Sequence, residues 1–290
     1  MKQKTFFLGI IFGITFLLLA VINTDLNTIF TLISKTNPLP IILGLFPLAI
    51  AIFLKTWRWR ILLDTRLPFS RIFAILTIGY LVNNILPARL GEAARIYLVG
   101  RREKVGIVKT LATIIMEKAL DALVLFLILL TLLLGSPILS NNLKTLFFGI
   151  VLPQKWQTRL AVFLSSFQLL KNKRKMIVLF LLSLVIWLME AFWNYSLLSS
   201  LGLNVPLSAA FFLAAVVNLG LFIPSPPGYI GVFHFLATFA LLPFGVDKSQ
   251  ALSYAILQHG LEYSILSGLG AWSALKLSFN PFKEKKWKKN

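Results

Sequence analysis

Cysteine is absent from the 290-residue chain. That excludes a disulfide framework, a thiolate metal site and a cysteine nucleophile. Histidine is nearly absent. Only His234 and His259 occur, far apart in sequence, too few for a zinc site of the usual type. Charge is scarce too, at 13% of residues, where a soluble domain carries about a quarter. Acids are the rarest charge, 10 against 29 Lys and Arg, for a net +19. No low-complexity linker divides the chain, so residues 1–290 read as one domain ending in a basic tail over 278–290. No nucleotide-binding motif is present, which removes ATP as a direct energy source.

What is there is apolar. Hydrophobic residues make up 58% of the chain, and the mean hydropathy is +0.83. So few charges cannot cover so much apolar surface in water, so the solvent for most of the chain is a bilayer. In that setting the excess of Lys and Arg points to membrane topology rather than to nucleic acid.

A span needs about 20 apolar residues. Candidates are 5–22, 40–54, 71–100, 105–134, 143–152, 176–198, 207–223, 229–244 and 251–277. The run at 5–22 is too long for a usual signal peptide and lacks a small-x-small cleavage site, so it reads as a first membrane helix. The expected fold is all-α and integral to the membrane, with about 6–8 transmembrane helices.

Basic residues cluster at Lys2–Lys4, at Lys55, Arg58, Arg60, Arg66 and Arg71, around 89–109, at 155–175 and at 276–289. The positive-inside rule places all of these, and both termini, in the cytoplasm of a multi-pass cell-membrane protein. Parity then requires 143–152 to cross as a short or tilted segment. It also requires 71–100 to enter and return as a re-entrant hairpin turning at Leu86-Pro87. A second interrupted segment breaks at Pro224 to Gly228 and enters from the opposite side. Two broken segments of opposite entry are the pattern of inverted repeats with a site where they meet. Ordinary kinked helices are the other reading.

The candidate site gathers around those breaks. Glu117 and Asp121 are four apart, on one helix face, and their repulsion calls for a cation. Arg89 and Arg95 of the hairpin are the candidates, and Glu92 is spaced to pair with Arg95. This is either a polar cavity for a head group or an ion network pinning the hairpin, and the two are compatible. Backbone near Gly91 and near Pro227, Gly228 and Gly231 offers free N–H groups suited to a lipid phosphate. His234 follows the second break. His259 and Glu262, three apart, could form a polar relay. Asn83, Asn84 and Asn218 can satisfy backbone groups freed at the breaks. Trp57, Trp59 and Trp287 read as an interfacial belt. Residues 154–175 form a basic amphipathic stretch suited to anionic lipid.

Leu86-Pro87-Ala88-Arg89-Leu90-Gly91-Glu92-Ala93-Ala94-Arg95, then Glu117-Lys118-Ala119-Leu120-Asp121, then Pro224 to His234, resemble the transmembrane region of the lysylphosphatidylglycerol synthase/flippase family. The resemblance runs over essentially the whole chain. The family usually shows Pro-Gly-Gly-x-Gly ending in glutamate; here Tyr229 replaces the second glycine and His234 stands in the glutamate's place. Residues 135–153 also look shorter than the family's corresponding span.

The resemblance implies a lipid flippase-like transporter that moves or exposes a phospholipid or other lipid-linked anion. Substrate-binding residues would be Asn84, Arg89, Gly91, Glu92, Arg95, Glu117, Asp121, Pro227, Gly228, Gly231 and His234. Little more than the basic tail follows the last span, which speaks against aminoacyl transfer and hence against an enzyme. No cofactor or metal is expected. The expected partner is membrane lipid, chiefly anionic phospholipid, with a second copy of the chain or a separate synthase as further partners. The alternatives are a membrane-embedded transferase using Glu117, Asp121 or His234 as acid–base groups, or an accessory subunit of a lipid-modifying enzyme.

Overall fold

The computed structural model describes residues 3–86, 90–135, 173–221 and 226–279. The expected crossing at 143–152, the amphipathic stretch at 154–172, Pro87, Arg89, Pro224, Ser225, Trp287 and the tail from 280 lie outside them.

The described residues are helical throughout: α1 (Gln3–Val21), α2 (Leu26–Ser34), α3 (Pro38–Leu63), α4 (Phe69–Ile85), α5 (Leu90–Arg95) with a π-helical continuation (Ile96–Arg102), α6 (Ile107–Gly135), α7 (Lys173–Ser200), α8 (Leu207–Gly220), a 3-10 turn (Pro227–Tyr229), α9 (Val232–Leu241) with a 3-10 end (Leu242–Phe244), and α10 (Lys248–Lys276). Among them α3, α6, α7 and the run Pro227–Phe244 are long and apolar enough to cross a bilayer. Gly9–Val21 and Leu26–Ser34 make a further pair, bent by 88°. The protein is a multi-pass all-α membrane bundle with one broken or re-entrant pair of helices. Large apolar side chains point outward, Phe46, Val108 and Leu275 among the most exposed, as hydrocarbon solvent permits.

Helix ends follow local chemistry. The Asp25 carboxylate caps α2 by accepting the Asn27 and Thr28 N–H groups at 3.0 and 3.1 Å. The α2 segment has no counterpart among the expected spans, because nine residues are too few to register as one. Asn37 caps α3, whose first turn carries Pro38 and Pro40, where a missing N–H costs nothing. Asp247 and Gln250 form a reciprocal capping box at α10.

Close approach of backbones sets the interior. The chain folds back after α4, so that α5 lies against it. The Gly91 N–H donates to Asn83 Oδ1 at 2.7 Å, and a Cβ on Gly91 would collide with the Gly79 carbonyl. After α8 the chain folds back again, and Gly220 receives the Leu236 side chain of α9. The two returns touch. Gly228, in the left-handed region at φ 66°, sits against the Tyr263 ring and the Asn84 carbonyl, and the Tyr263 hydroxyl donates to that carbonyl at 3.4 Å.

Candidate functional site

A cavity of about 270 Å³ opens inside the bundle, lined from α3, α4, α5, α6, α7, α8, the Gly228 turn, α9 and α10. Among the described residues its wall carries four cations, Lys55, Arg58, Arg95 and Lys118, and five carboxylates, Glu92, Glu117, Asp121, Glu190 and Glu262. A lone charge at such depth costs about 2.5–3.5 kcal/mol on insertion scales, so partners are required.

The partners are specific. Arg95 holds Glu117 through both guanidinium nitrogens, at 3.1 and 2.7 Å. Its guanidinium carbon lies 3.9 Å from the centre of the Trp59 ring. Arg58 holds Asp121 in the same two-point manner, at 2.6 and 3.0 Å, and also donates to Ser183 Oγ at 2.7 Å. Trp187 Nε1–H adds a bond to Asp121 at 3.1 Å. Lys55 pairs with Glu190 at 2.6 Å. Two-point Arg–carboxylate geometry fixes orientation as well as charge. Glu117 and Asp121 therefore share a face without repulsion, each with its own arginine.

Glu262 differs. It accepts from the Gln258 amide and is in no ion pair among the described residues. Across the cavity Tyr254 Oη donates to Asn194 Oδ1 at 2.9 Å, and Asn84 donates to Ser267 Oγ at 2.9 Å. Nε of Arg58 and Nε of Arg95 are buried and have no hydrogen-bond partner among the described residues.

Of the sequence candidates, Asn84, Glu92, Arg95, Glu117, Asp121, Gly228, His259 and Glu262 line this cavity. Gly91 stands at the α4–α5 contact, behind the wall. Pro227 opens the 3-10 turn. Gly231, at φ 86°, packs its backbone on the Gly13 carbonyl of α1. His234 stacks on His259 with ring centres 4.9 Å apart.

Four expectations are corrected. Arg95 pairs with Glu117 rather than with Glu92, whose nearest cation is Lys118 at 3.6 Å. Glu262 bonds Gln258, four residues back on its own helix, rather than His259, which turns to His234. Lys55 and Arg58 belong to the interior, not to a surface basic cluster. Trp59 is fully buried under Arg95 and donates Nε1–H to Thr113 at 3.2 Å, so it is no interfacial residue; Trp57 is half exposed.

The family model described as the lysylphosphatidylglycerol synthase TM region matches residues 6–154 and 145–270. The chain belongs to that family. A curated relative, the UPF0104 membrane protein of Methanothermobacter thermautotrophicus, is 21% identical over 323 aligned positions, covering 93% of this chain and 94% of the relative. No solved structure matches the chain. In this member of the lysylphosphatidylglycerol synthase transmembrane-region family, no group of three or more His, Asp or Glu residues stands close enough to hold a metal ion among the described residues. The polar wall holds ion pairs and side-chain amides.

Sequence reasoning missed Lys55, Arg58 and Gln258 as members of the wall, and marked Glu190 only as an acid at membrane depth in need of a partner or water. A signal existed for the first two. Continuing the helical period of 40–54 to Leu63 puts Leu48, Ile52, Lys55 and Arg58 on one face.

Proposed function

We propose that this protein moves or exposes a phospholipid or other lipid-linked anion across the cell membrane, with the polar cavity receiving the head group. The observation that carries this is a walled polar chamber inside an apolar bundle, lined among the described residues by the cations Lys55, Arg58, Arg95 and Lys118. A head-group phosphate is an acceptor suited to such cations. Glu262 takes a donor from the rest of the head, an ammonium or a hydroxyl. Asn84, Glu92, Arg95, Glu117, Asp121 and Gly228 form the contact surface, with Arg89 as a further cation for the head group. Gly91, Pro227, Gly231 and His234 hold the two turns in shape, while His259 and Glu262 form the far wall.

The chain acts as one domain with both termini in the cytoplasm and 6–8 membrane passages. The α4–α5 and α8–α9 returns are inverted repeats whose tips meet at Asn84 and Gly228, and transport rocks one against the other. Membership of the family supports this reading, as does the contact between the two tips. A second copy or a separately encoded synthase is the protein partner.

The test is leaflet exchange in reconstituted vesicles. A labelled anionic phospholipid is expected to cross faster with the protein than without it. Glu117→Gln and Arg95→Gln are expected to abolish the difference. Exchange equal to that of empty vesicles rejects the proposal.

A further inference from the structure

A second polar feature lies on the outside of the bundle. An open groove of about 570 Å³ runs between the end of α3 and the start of α7, lined by Trp57, Arg60, Asp64, Arg174, Lys175 and Val178 among others. It shares no lining residue with the inner cavity. The two helices run antiparallel, since Gly44 near the start of α3 meets Trp193 and Ser196 near the end of α7.

Three cations face one carboxylate here. Asp64 is 3.8 Å from Lys175, a loose contact, and its side chain is 81% exposed. Arg60 and Arg174 are in no ion pair among the described residues. Below the groove the helices present apolar stripes to the outside. On α3 these are Phe46, Phe53 and Trp57; on α7 they are Ile177, Leu181 and Val185. The α7 spacings of four keep one face turned outward along the helix. A basic end above two apolar stripes, with an aromatic residue at the join, is the complement of one lipid molecule.

We propose that the α3–α7 groove binds a single anionic phospholipid, its phosphate held by Arg60, Arg174 and Lys175 and its acyl chains lying along the outer stripes of α3 and α7. A soluble phosphate would use the cations but leave the stripes idle. A zwitterionic lipid would set its own ammonium against the same cations. The site is independent of the cavity, yet α3 serves both. Trp57 and Arg60 face out, while Lys55 and Arg58 face in.

Native mass spectrometry of the full chain in mixed phosphatidylglycerol–phosphatidylcholine micelles tests this. The wild type is expected to retain one phosphatidylglycerol in preference to phosphatidylcholine. The Arg60→Gln/Arg174→Gln double variant is expected to bind it roughly 30-fold more weakly, at about fivefold per cation removed. Asp64→Asn, which removes the one carboxylate among the described lining residues and suits the left-handed φ of 47° there, is expected to bind it more tightly. A gain cannot arise from misfolding. Brominated phosphatidylglycerol is expected to quench wild-type tryptophan fluorescence, with part of the quenching lost in Trp57→Phe. Equal retention in wild type and double variant overturns the proposal. So does quenching unchanged by Trp57→Phe, or displacement of the lipid by glycerol phosphate at equal concentration.

Discussion

Arg95 is clamped between Trp59 and Glu117: its guanidinium lies 3.9 Å over the indole and makes two hydrogen bonds to the carboxylate. The indole comes from α3, the carboxylate from α6 and the arginine from the short α5, so one side chain ties three elements. A desolvated cation–π contact is worth about 2 kcal/mol, and the ring also fills core volume. Trp59→Leu is expected to lose about 3 kcal/mol, read as a lower unfolding midpoint in detergent. Trp59→Phe keeps a ring under Arg95 and loses the Thr113 bond, about 1 kcal/mol.

The Arg95–Glu117 pair separates stability from function. Removing one partner strands a buried charge, which costs about 3–5 kcal/mol. Arg95→Met and Glu117→Leu should each show that loss in thermal unfolding. The double variant restores a neutral, filled interior and is expected to recover to within about 1–2 kcal/mol of wild type. Leaflet exchange, in contrast, should be absent in all three. A double variant that exchanges lipid like wild type would make the pair a structural pin only.

How much of this could be read from the chain itself follows from what each signal measures. Apolar helices were legible because hydropathy is local; α6, α7 and α8 fall close to the runs at 105–134, 176–198 and 207–223, though α8 is shorter than a span. Glu117 and Asp121 were legible as a pair because four residues is one helical turn. Their partners were not all legible. Arg58 lies 63 residues from Asp121, and Lys55 lies 135 from Glu190. Counting basic residues along a segment ignores which face each occupies, and α3 carries them on two faces. Trp59 was misread for the same reason, since only Trp57 of that pair faces outward.

Gly231 is where two backbones need the absence of a side chain. Its φ of 86° is disfavoured for any residue with a Cβ, and the Gly13 carbonyl of α1 occupies the space a Cβ would take. Gly231→Ala should therefore lift α1 from α9. The expected outcome is faster amide exchange along α1, with α3 and α7 unchanged. Gly260→Ala, at a site with nothing near the added methyl, serves as the neutral control.

Acid should fray the start of α2. The Thr28 hydroxyl and the Asn27 and Thr28 amides hold the Asp25 carboxyl below its usual value of 3.8. A depressed folded-state value means the cap's contribution is complete above the usual, unfolded-state value. It is lost as pH falls through the lower, folded-state one. Amide protection of α2, corrected for intrinsic exchange, is expected to drop only below about pH 4. Asp25→Asn still caps and should show no such step.

Glu262 lines the cavity and is in no ion pair among the described residues, so it is the carboxylate best placed to select a head group. Glu262→Gln keeps the shape of the side chain and removes its charge. A hydrogen bond to a charged group is worth about 1.5–3 kcal/mol, at least tenfold in rate or affinity. Exchange of a labelled phosphatidylethanolamine, whose ammonium would meet Glu262, is therefore expected to slow about tenfold or more in this variant. Exchange of labelled phosphatidylglycerol, which offers only hydroxyls there, should change far less. Equal slowing of both labels would mean that Glu262 shapes the wall and does not read the head group. A loss confined to phosphatidylethanolamine would place the phosphate on the arginine side of the cavity and the amine on the α10 side.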